Sequence, residues 1–151
     1  MTQAVLAARE AAFAIVRRLR ESGHVAYLAG GCVRDALFRR SRYVGEAFGV
    51  VLVRVGEHDI EVATFRTESG YTDGRRPDHV TFTDAEHDAQ RRDFTINGLF
   101  AEGAEAAGDA PAQAWVGRVV DFVGGVADLH GGVVRAIGDP DARFAEDYLR
   151  M

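Results

Sequence analysis

The chain has 151 residues, 47% hydrophobic and 27% charged, with a formal net charge of −5, a composition that fits one ordinary globular domain and disfavours a stand-alone nucleic-acid binder, which carries excess Lys and Arg to replace phosphate counterions. No apolar run reaches the length of a membrane span, and MTQAVLAARE has neither the basic start nor the long apolar stretch of a signal peptide, so no membrane contact and a cytoplasmic setting are expected. The single Cys32 leaves no internal disulfide and no thiolate zinc cluster, and His58, His79 and His87 show no metal-ligand spacing.

Over residues 3–20, Val5, Ala8, Ala12, Ile15, Val16 and Leu19 fall on one helical stripe, with Glu10, Arg17 and Arg18 off it. That spacing predicts an amphipathic packing helix, ended by Ser22-Gly23. The apolar run 25–28 predicts a strand that breaks at Gly30-Gly31 into a second helix over 32–40. Residues 48–55 (FGVVLVRV) and 60–65 predict two strands joined by a hairpin at Gly56-Glu57-His58, in a mixed or antiparallel sheet. Residues 69–79 (SGYTDGRRPDH) are rich in turn formers and predict a loop, followed by a short strand at 80–82 and a helix capped by Asp84. The Ala, Gly, Glu and Pro of 102–114 predict an exposed hairpin tip before a strand at 116–122. The fold class is therefore α/β of the α+β kind, a small mixed sheet flanked by helices in one domain spanning 1–151, without internal repeats.

Three segments carry chemistry. Gly30-Gly31-Cys32-Val33-Arg34-Asp35 stands where a strand passes into a helix. Glycines there let a phosphate approach backbone N–H groups and the positive helix end, and Arg34, one turn in, adds a charge-assisted contact; a tight turn is the plainer alternative. In Arg91-Arg92-Asp93-Phe94-Thr95-Ile96-Asn97, two guanidiniums precede an acid that caps a helix or steers a ribose hydroxyl, with Phe94 and Ile96 assigned to the core. In Glu146-Asp147-Tyr148-Leu149-Arg150, Asp147 and Arg150 lie three apart on one helical face and can accept from and donate to a base edge, or form an ordinary helix ion pair. Clumps at Arg39, Arg40 and Arg42, at Arg75 and Arg76, and at Arg91 and Arg92 suggest local phosphate contacts or solvated helix ends.

Taken in order, GGCVRD at 30–35, IEVATFR at 60–66, YTDGRRP at 71–77, RRDFTIN at 91–97, DFVGGVADL, IGDP and EDYLR at 146–150 resemble the head of class II tRNA nucleotidyltransferases, a family of CCA-adding enzymes and similar bacterial poly(A) polymerases. The resemblance runs from Tyr27 to the end of the chain. It implies a head that binds ATP or CTP with magnesium and adds nucleotides to an RNA 3′ end, tRNA in the CCA-adding branch, by in-line attack on the α-phosphate assisted by two metal ions. It also implies that Gly30, Gly31 and Arg34 meet the triphosphate, that Arg92 contacts the nucleotide, that Asp93 belongs to the ribose site, and that Asp147 with Arg150 selects the base.

Two departures qualify these expectations. The family carries a strand with an Asp-x-Asp pair after the GG-x-x-R-D helix, whereas here Asp35 runs through Ala36-Leu37-Phe38-Arg39-Arg40-Ser41-Arg42 straight to Tyr43 without such a pair. One strand and its helix are expected to be missing near 36–42. The chain also stops at Met151, where the family continues into a neck and an RNA-holding body. By the resemblance Glu61 would lie beside the missing pair as a third carboxylate. Asp59, two residues earlier, shares its strand face and offers a substitute metal pair, unless it is a simple turn residue. Two readings stand: a catalytic head that is inactive alone, of CCA-adding or poly(A) type, and a non-catalytic nucleotide-binding or RNA-associated remnant.

Overall fold

The computed structural model describes residues 3–38, 50–70, 79–104 and 112–146. In chain order its elements are α1 (Gln3–Glu21), β1 (Leu28–Ala29), α2 (Gly31–Phe38), β2 (Val50–Val55), β3 (His58–Ala63), β4 (Arg66–Ser69), β5 (His79–Phe82), α3 (Ala85–Gln90), a 3-10 turn (Thr95–Asn97), β6 (Leu99–Ala101), α4 (Ala112–Val116), β7 (Val119–Asp121), α5 (Gly125–Gly131) and α6 (Pro140–Glu146). These helices and small sheets match the expected mixed class. No helix among the described residues is long and apolar enough to cross a membrane. The chain divides into two compact units, Met1–Ala63 with Phe100–Val120 and Thr64–Leu99 with Asp121–Met151.

In the first unit Val16 of the predicted α1 stripe is buried and Ala8, Ala12, Ile15 and Leu19 are half-buried, while Arg17 and Arg18 are exposed; Ala11, off the stripe, is buried as well. The helix closes at Ser22-Gly23 as expected: the Gly23 amide donates to Arg20 O at 2.9 Å and the His24 amide to Leu19 O at 3.0 Å, which satisfies two orphan carbonyls. Arg20 then reaches over the turn and donates to Ala26 O from Nε at 3.1 Å and Nη2 at 2.7 Å. β1 pairs antiparallel with β6, Leu28 opposite Ala101 and Ala29 opposite Phe100, in a three-stranded sheet ordered β1-β6-β7. Phe100 and Val33 are fully buried.

The expected exposed hairpin tip is corrected at its C-terminal end, because 112–116 form the helix α4. Trp115 is the cause: its ring stacks on Phe13 at 5.5 Å and lies under the Arg9 guanidinium at 4.9 Å, and both Trp115 and Val116 are buried. Burying an indole outweighs the turn preference of its small neighbours. The predicted hairpin forms with a shorter connection, Gly56-Glu57, and His58 already lies in β3. β2 and β3 pair from Val50 opposite Ala63 to Val55 opposite His58, as a two-stranded sheet separate from the three-stranded one.

In the second unit β4 and β5 form another two-stranded antiparallel sheet, Arg66 opposite Phe82 through Ser69 opposite His79. The strand expected to run on through residue 65 stops at Ala63, and β4 begins at Arg66, whose side chain is buried and whose amide donates to Asp88 Oδ1 at 3.1 Å. Asp84 caps α3 as read, accepting from the His87 amide at 3.0 Å. The expected strand at 116–122 is shortened to Val119–Asp121, because the Asp121 carboxylate turns to accept from the amides of Val123, Gly124, Gly125 and Val126 at 2.9–3.1 Å and so starts α5. Phe94 and Ile96 are only half-buried. Between them Thr95 is the buried residue, its hydroxyl donating to Asp128 Oδ2 at 2.7 Å.

Asp128 is also gripped by Arg135, Nε to Oδ2 at 2.9 Å and Nη2 to Oδ1 at 3.1 Å. The Arg135 guanidinium first, and the Thr95 hydroxyl second, hold its carboxyl below the ordinary range. The unfolded chain therefore takes up this proton first as pH falls. The stability that Asp128 contributes is complete above the ordinary carboxylate pKa and is lost on descending through the depressed one. Asp128→Asn is expected to be less stable than the parent at neutral pH, with the gap closing in acid. Urea melts of both proteins from neutral pH to pH 3 check this, and a gap that stays constant would show that the charge at Asp128 is not the cause.

Candidate functional site

In the first unit β1 hands over to α2 through Gly30, whose φ of 75° is a left-handed value that a side chain rarely tolerates. Its carbonyl accepts from the amides of Val33 at 3.1 Å and Arg34 at 3.2 Å and so opens the helix. Val33 anchors that turn in the core at 1% exposure. Arg34 folds back over the helix start, and a Cβ placed on Gly31 would lie 3.3 Å from Arg34 Nη2. Gly30, Gly31 and Arg34 thus converge: a glycine turn, a helix N-terminus and a guanidinium at one place, the elements of an oxyanion or phosphate cradle. The side chain of Asp35 is outside the described residues.

β3 alternates, with His58, Ile60 and Val62 half-buried and Asp59, Glu61 and Ala63 exposed, so Asp59 and Glu61 share a face. Asp59 is already engaged, because Arg54, directly opposite it on β2, donates from Nη1 to both carboxylate oxygens at 3.0 Å. Glu61 stands opposite Leu52. Among the described residues no group of three or more His, Cys, Asp or Glu converges to hold a metal. The donor set that is described therefore does not fit the paired magnesium ions the resemblance implies, which need several anionic oxygens.

In the second unit Arg92 and Asp93 are both fixed through Asn97. Arg92 donates from Nη1 to Asn97 O at 3.3 Å and from Nε and Nη2 to Asp88 Oδ2 at 3.3 and 3.0 Å. Asp93 accepts from Asn97 Nδ2 at 3.1 and 3.2 Å and from the Phe94 amide at 2.7 Å, beside a 3-10 turn whose N-cap residue is Phe94. Sequence reasoning missed the buried carboxylates behind this motif: Asp88 also accepts from Arg91 at 2.7 and 2.9 Å, and Glu68 accepts from Arg66 at 2.7 Å and Arg91 at 3.1 Å. The signal was present in the i, i+3 and i, i+4 spacing of Asp88 to Arg91 and Arg92. Asp147 and Arg150, the arginine clump at 39–42 and the segment 71–78 lie outside the described residues.

Comparison with known proteins gives these features a lineage. The CCA-adding enzyme of Lactobacillus helveticus (strain DPC 4571) is 40% identical over 163 residues, covering 93% of this chain and 38% of that protein. That of Bacillus subtilis (strain 168) is 37% identical with the same coverage of each. The chain therefore spans 38% of the length of these relatives. An alignment of 163 positions exceeds the chain's 151 residues, so the Lactobacillus protein carries residues within the aligned region that have no counterpart here. The crystal structure of the Bacillus stearothermophilus CCA-adding enzyme in complex with CTP superposes with a TM-score of 0.73 at 28% identity, over 100% of this chain and 38% of that one. The Poly A polymerase head domain family matches residues 37–135, starting just past the GGCVRD segment. Since that match takes in well over half of the sequence, the chain belongs to the Poly A polymerase head domain family.

Proposed function

We propose that this chain is the nucleotide-binding head of an RNA nucleotidyltransferase of the CCA-adding kind, which receives ATP and CTP for a tRNA 3′ end, and that it binds nucleotide without transferring it. The observation that carries the reading is the placement of the Arg34 guanidinium over Gly31 at the start of α2, where a triphosphate finds backbone donors and a cation together. In the second unit, where Asp88 holds Arg92 in place, the resemblance assigns Arg92 to nucleotide contact and Asp93 to the ribose. Asp147 and Arg150 are assigned to base selection on the resemblance. Relatives at 37–40% identity are CCA-adding enzymes, and a solved neighbour at 28% identity is a CCA-adding enzyme in complex with CTP. A cytoplasmic setting suits such substrates.

The same reading includes an internal shortening near 36–42. It is supported by the direct passage from Asp35 to Tyr43, by the family match that starts only at residue 37, and by an alignment longer than the chain itself. Magnesium-dependent transfer belongs to the family chemistry, and the carboxylates described here do not assemble it.

Calorimetric titration with ATP tests the binding half. The parent is expected to saturate, and Arg34→Ala to lose about 1.5 kcal/mol or more, roughly tenfold in affinity, as one charge-assisted contact disappears. Absence of saturable binding, or an Arg34→Ala protein that binds as well as the parent, would refute the proposed cradle.

A further inference from the structure

We infer that Asp88 is the positioning residue of the nucleotide site, the group that sets the Arg92 guanidinium before any nucleotide arrives; this rests on the binding role proposed above for Arg92. Asp88 lies on α3 and is 2% exposed, yet its carboxylate accepts five hydrogen bonds from three residues. Oδ1 accepts from the Arg66 amide at 3.1 Å and from Arg91 Nη2 and Nε at 2.7 and 2.9 Å. Oδ2 faces Arg92 alone among the contacts described, taking Nη2 at 3.0 Å and Nε at 3.3 Å. The two oxygens thus divide their work: one ties β4 to the turn after α3, and the other orients a single arginine.

Arg92 is held at its far edge as well, Nη1 to Asn97 O at 3.3 Å. A guanidinium gripped along two edges keeps one plane and one direction, while its side chain remains 24% exposed and within reach of solvent. Arginine has many rotamers to lose on meeting a ligand, and a side chain ordered beforehand binds more tightly for that reason. Glu68 supports the arrangement from behind by holding Arg66 and Arg91, so that the cations beside Arg92 are compensated and do not compete for Oδ2. Sequence order enforces the geometry: Asp88 precedes Arg92 by four residues, the spacing that stacks side chains on one helical face, and the turn after α3 keeps it.

The inference separates from a merely structural role for Asp88 through its coupling to Arg92. In the full chain, Asp88→Asn is expected to weaken ATP binding about tenfold, and the same substitution made in an Arg92→Ala background to weaken it no further, because the arginine it positions is gone. Arg91→Gln removes two of the Asp88 contacts and loosens the fold comparably, but leaves Oδ2 to Arg92, and is expected to change affinity less than about threefold. Side-chain ¹⁵N spectra of arginine follow positioning directly: the Arg92 Nε–H signal is expected to be protected in the parent and in Arg91→Gln and to be lost in Asp88→Asn. Should Asp88→Asn not fold, Asp88→Glu keeps the charge and shifts the carboxylate by one methylene, and the same loss of affinity is expected. Equal ATP affinity in the parent and the folded Asp88 variant, or an equal loss with and without Arg92, overturns the inference. A parent that fails to bind ATP overturns the nucleotide reading itself and the inference with it.

Discussion

Replacing Gly125 with alanine is expected to destabilise the second unit by about 3 kcal/mol, a large part of what a small domain has to lose. A Cβ at Gly125 would lie 2.1 Å from the Thr95 carbonyl oxygen, 2.7 Å from its carbon and 3.0 Å from Leu99 Cδ2. Two of these are backbone atoms with no rotamer to escape into, so α5 has to lift off the turn at Thr95–Asn97. Lifting would strain the bond from the Thr95 hydroxyl to Asp128 and leave a buried carboxylate short of a donor. Gly124 supplies the internal control. It has a φ of 78° but nothing within 4 Å of its Cβ position, so Gly124→Ala should cost only the left-handed penalty of about 1–2 kcal/mol. Urea denaturation of both variants measures the difference. If Gly124→Ala proves the more damaging, α5 does not seat on Thr95 as closely as described.

The contrast between these two neighbours reflects what the sequence can and cannot disclose. The pair Gly124-Gly125 looks like a turn by its composition, and one member is a turn residue; the other is required by a carbonyl thirty positions earlier, which no local pattern encodes. Elements fixed by neighbours in the chain were legible. The stripe of α1, its Ser22-Gly23 ending, the Asp84 cap and the β2–β3 hairpin all follow from local periodicity or capping chemistry. Elements fixed by distant partners were not. Residues 112–116 read as a hairpin tip because the small residues dominate, yet Trp115 finds Phe13 across a hundred residues and the segment becomes helical. Thr95 looked less apolar than Phe94 and Ile96, but it is the one buried, because Asp128, 33 residues on, takes its hydroxyl. In the candidate site the passage from strand through Gly30 into α2, with Arg34 one turn inside, was legible from local spacing. The engagement of Asp59 by Arg54 depends on cross-strand register, which becomes visible only when residue is paired with residue.

That engagement bears on the largest expected effect, which is that this chain transfers no nucleotide above background to a tRNA lacking its 3′ end. In-line transfer with two divalent ions needs several anionic oxygens beyond those of the triphosphate. Between Asp35 and Tyr43, where the family pair would stand, the chain holds Ala36, Leu37, Phe38, three arginines and a serine. The remaining candidates are Asp59 and Glu61. Using Asp59 as a metal ligand requires first removing Arg54 from both of its oxygens, and a divalent ion placed there would still meet the guanidinium charge nearby. Without metal-centred charge stabilisation, worth several kcal/mol, the rate falls by about a thousandfold or more. Incubation with labelled CTP or ATP, magnesium and the shortened tRNA reads this out, and incorporation of C against A also tells CCA addition from poly(A) addition. Inserting a strand with Asp-x-Asp after Asp35 is expected to give magnesium-dependent incorporation. The opposite result is equally definite. If the unaltered chain extends tRNA, if Asp59→Asn with Glu61→Gln abolishes that extension, and if Arg54→Ala raises it by releasing Asp59, then β3 carries the working carboxylates and the account of an inactive head is wrong.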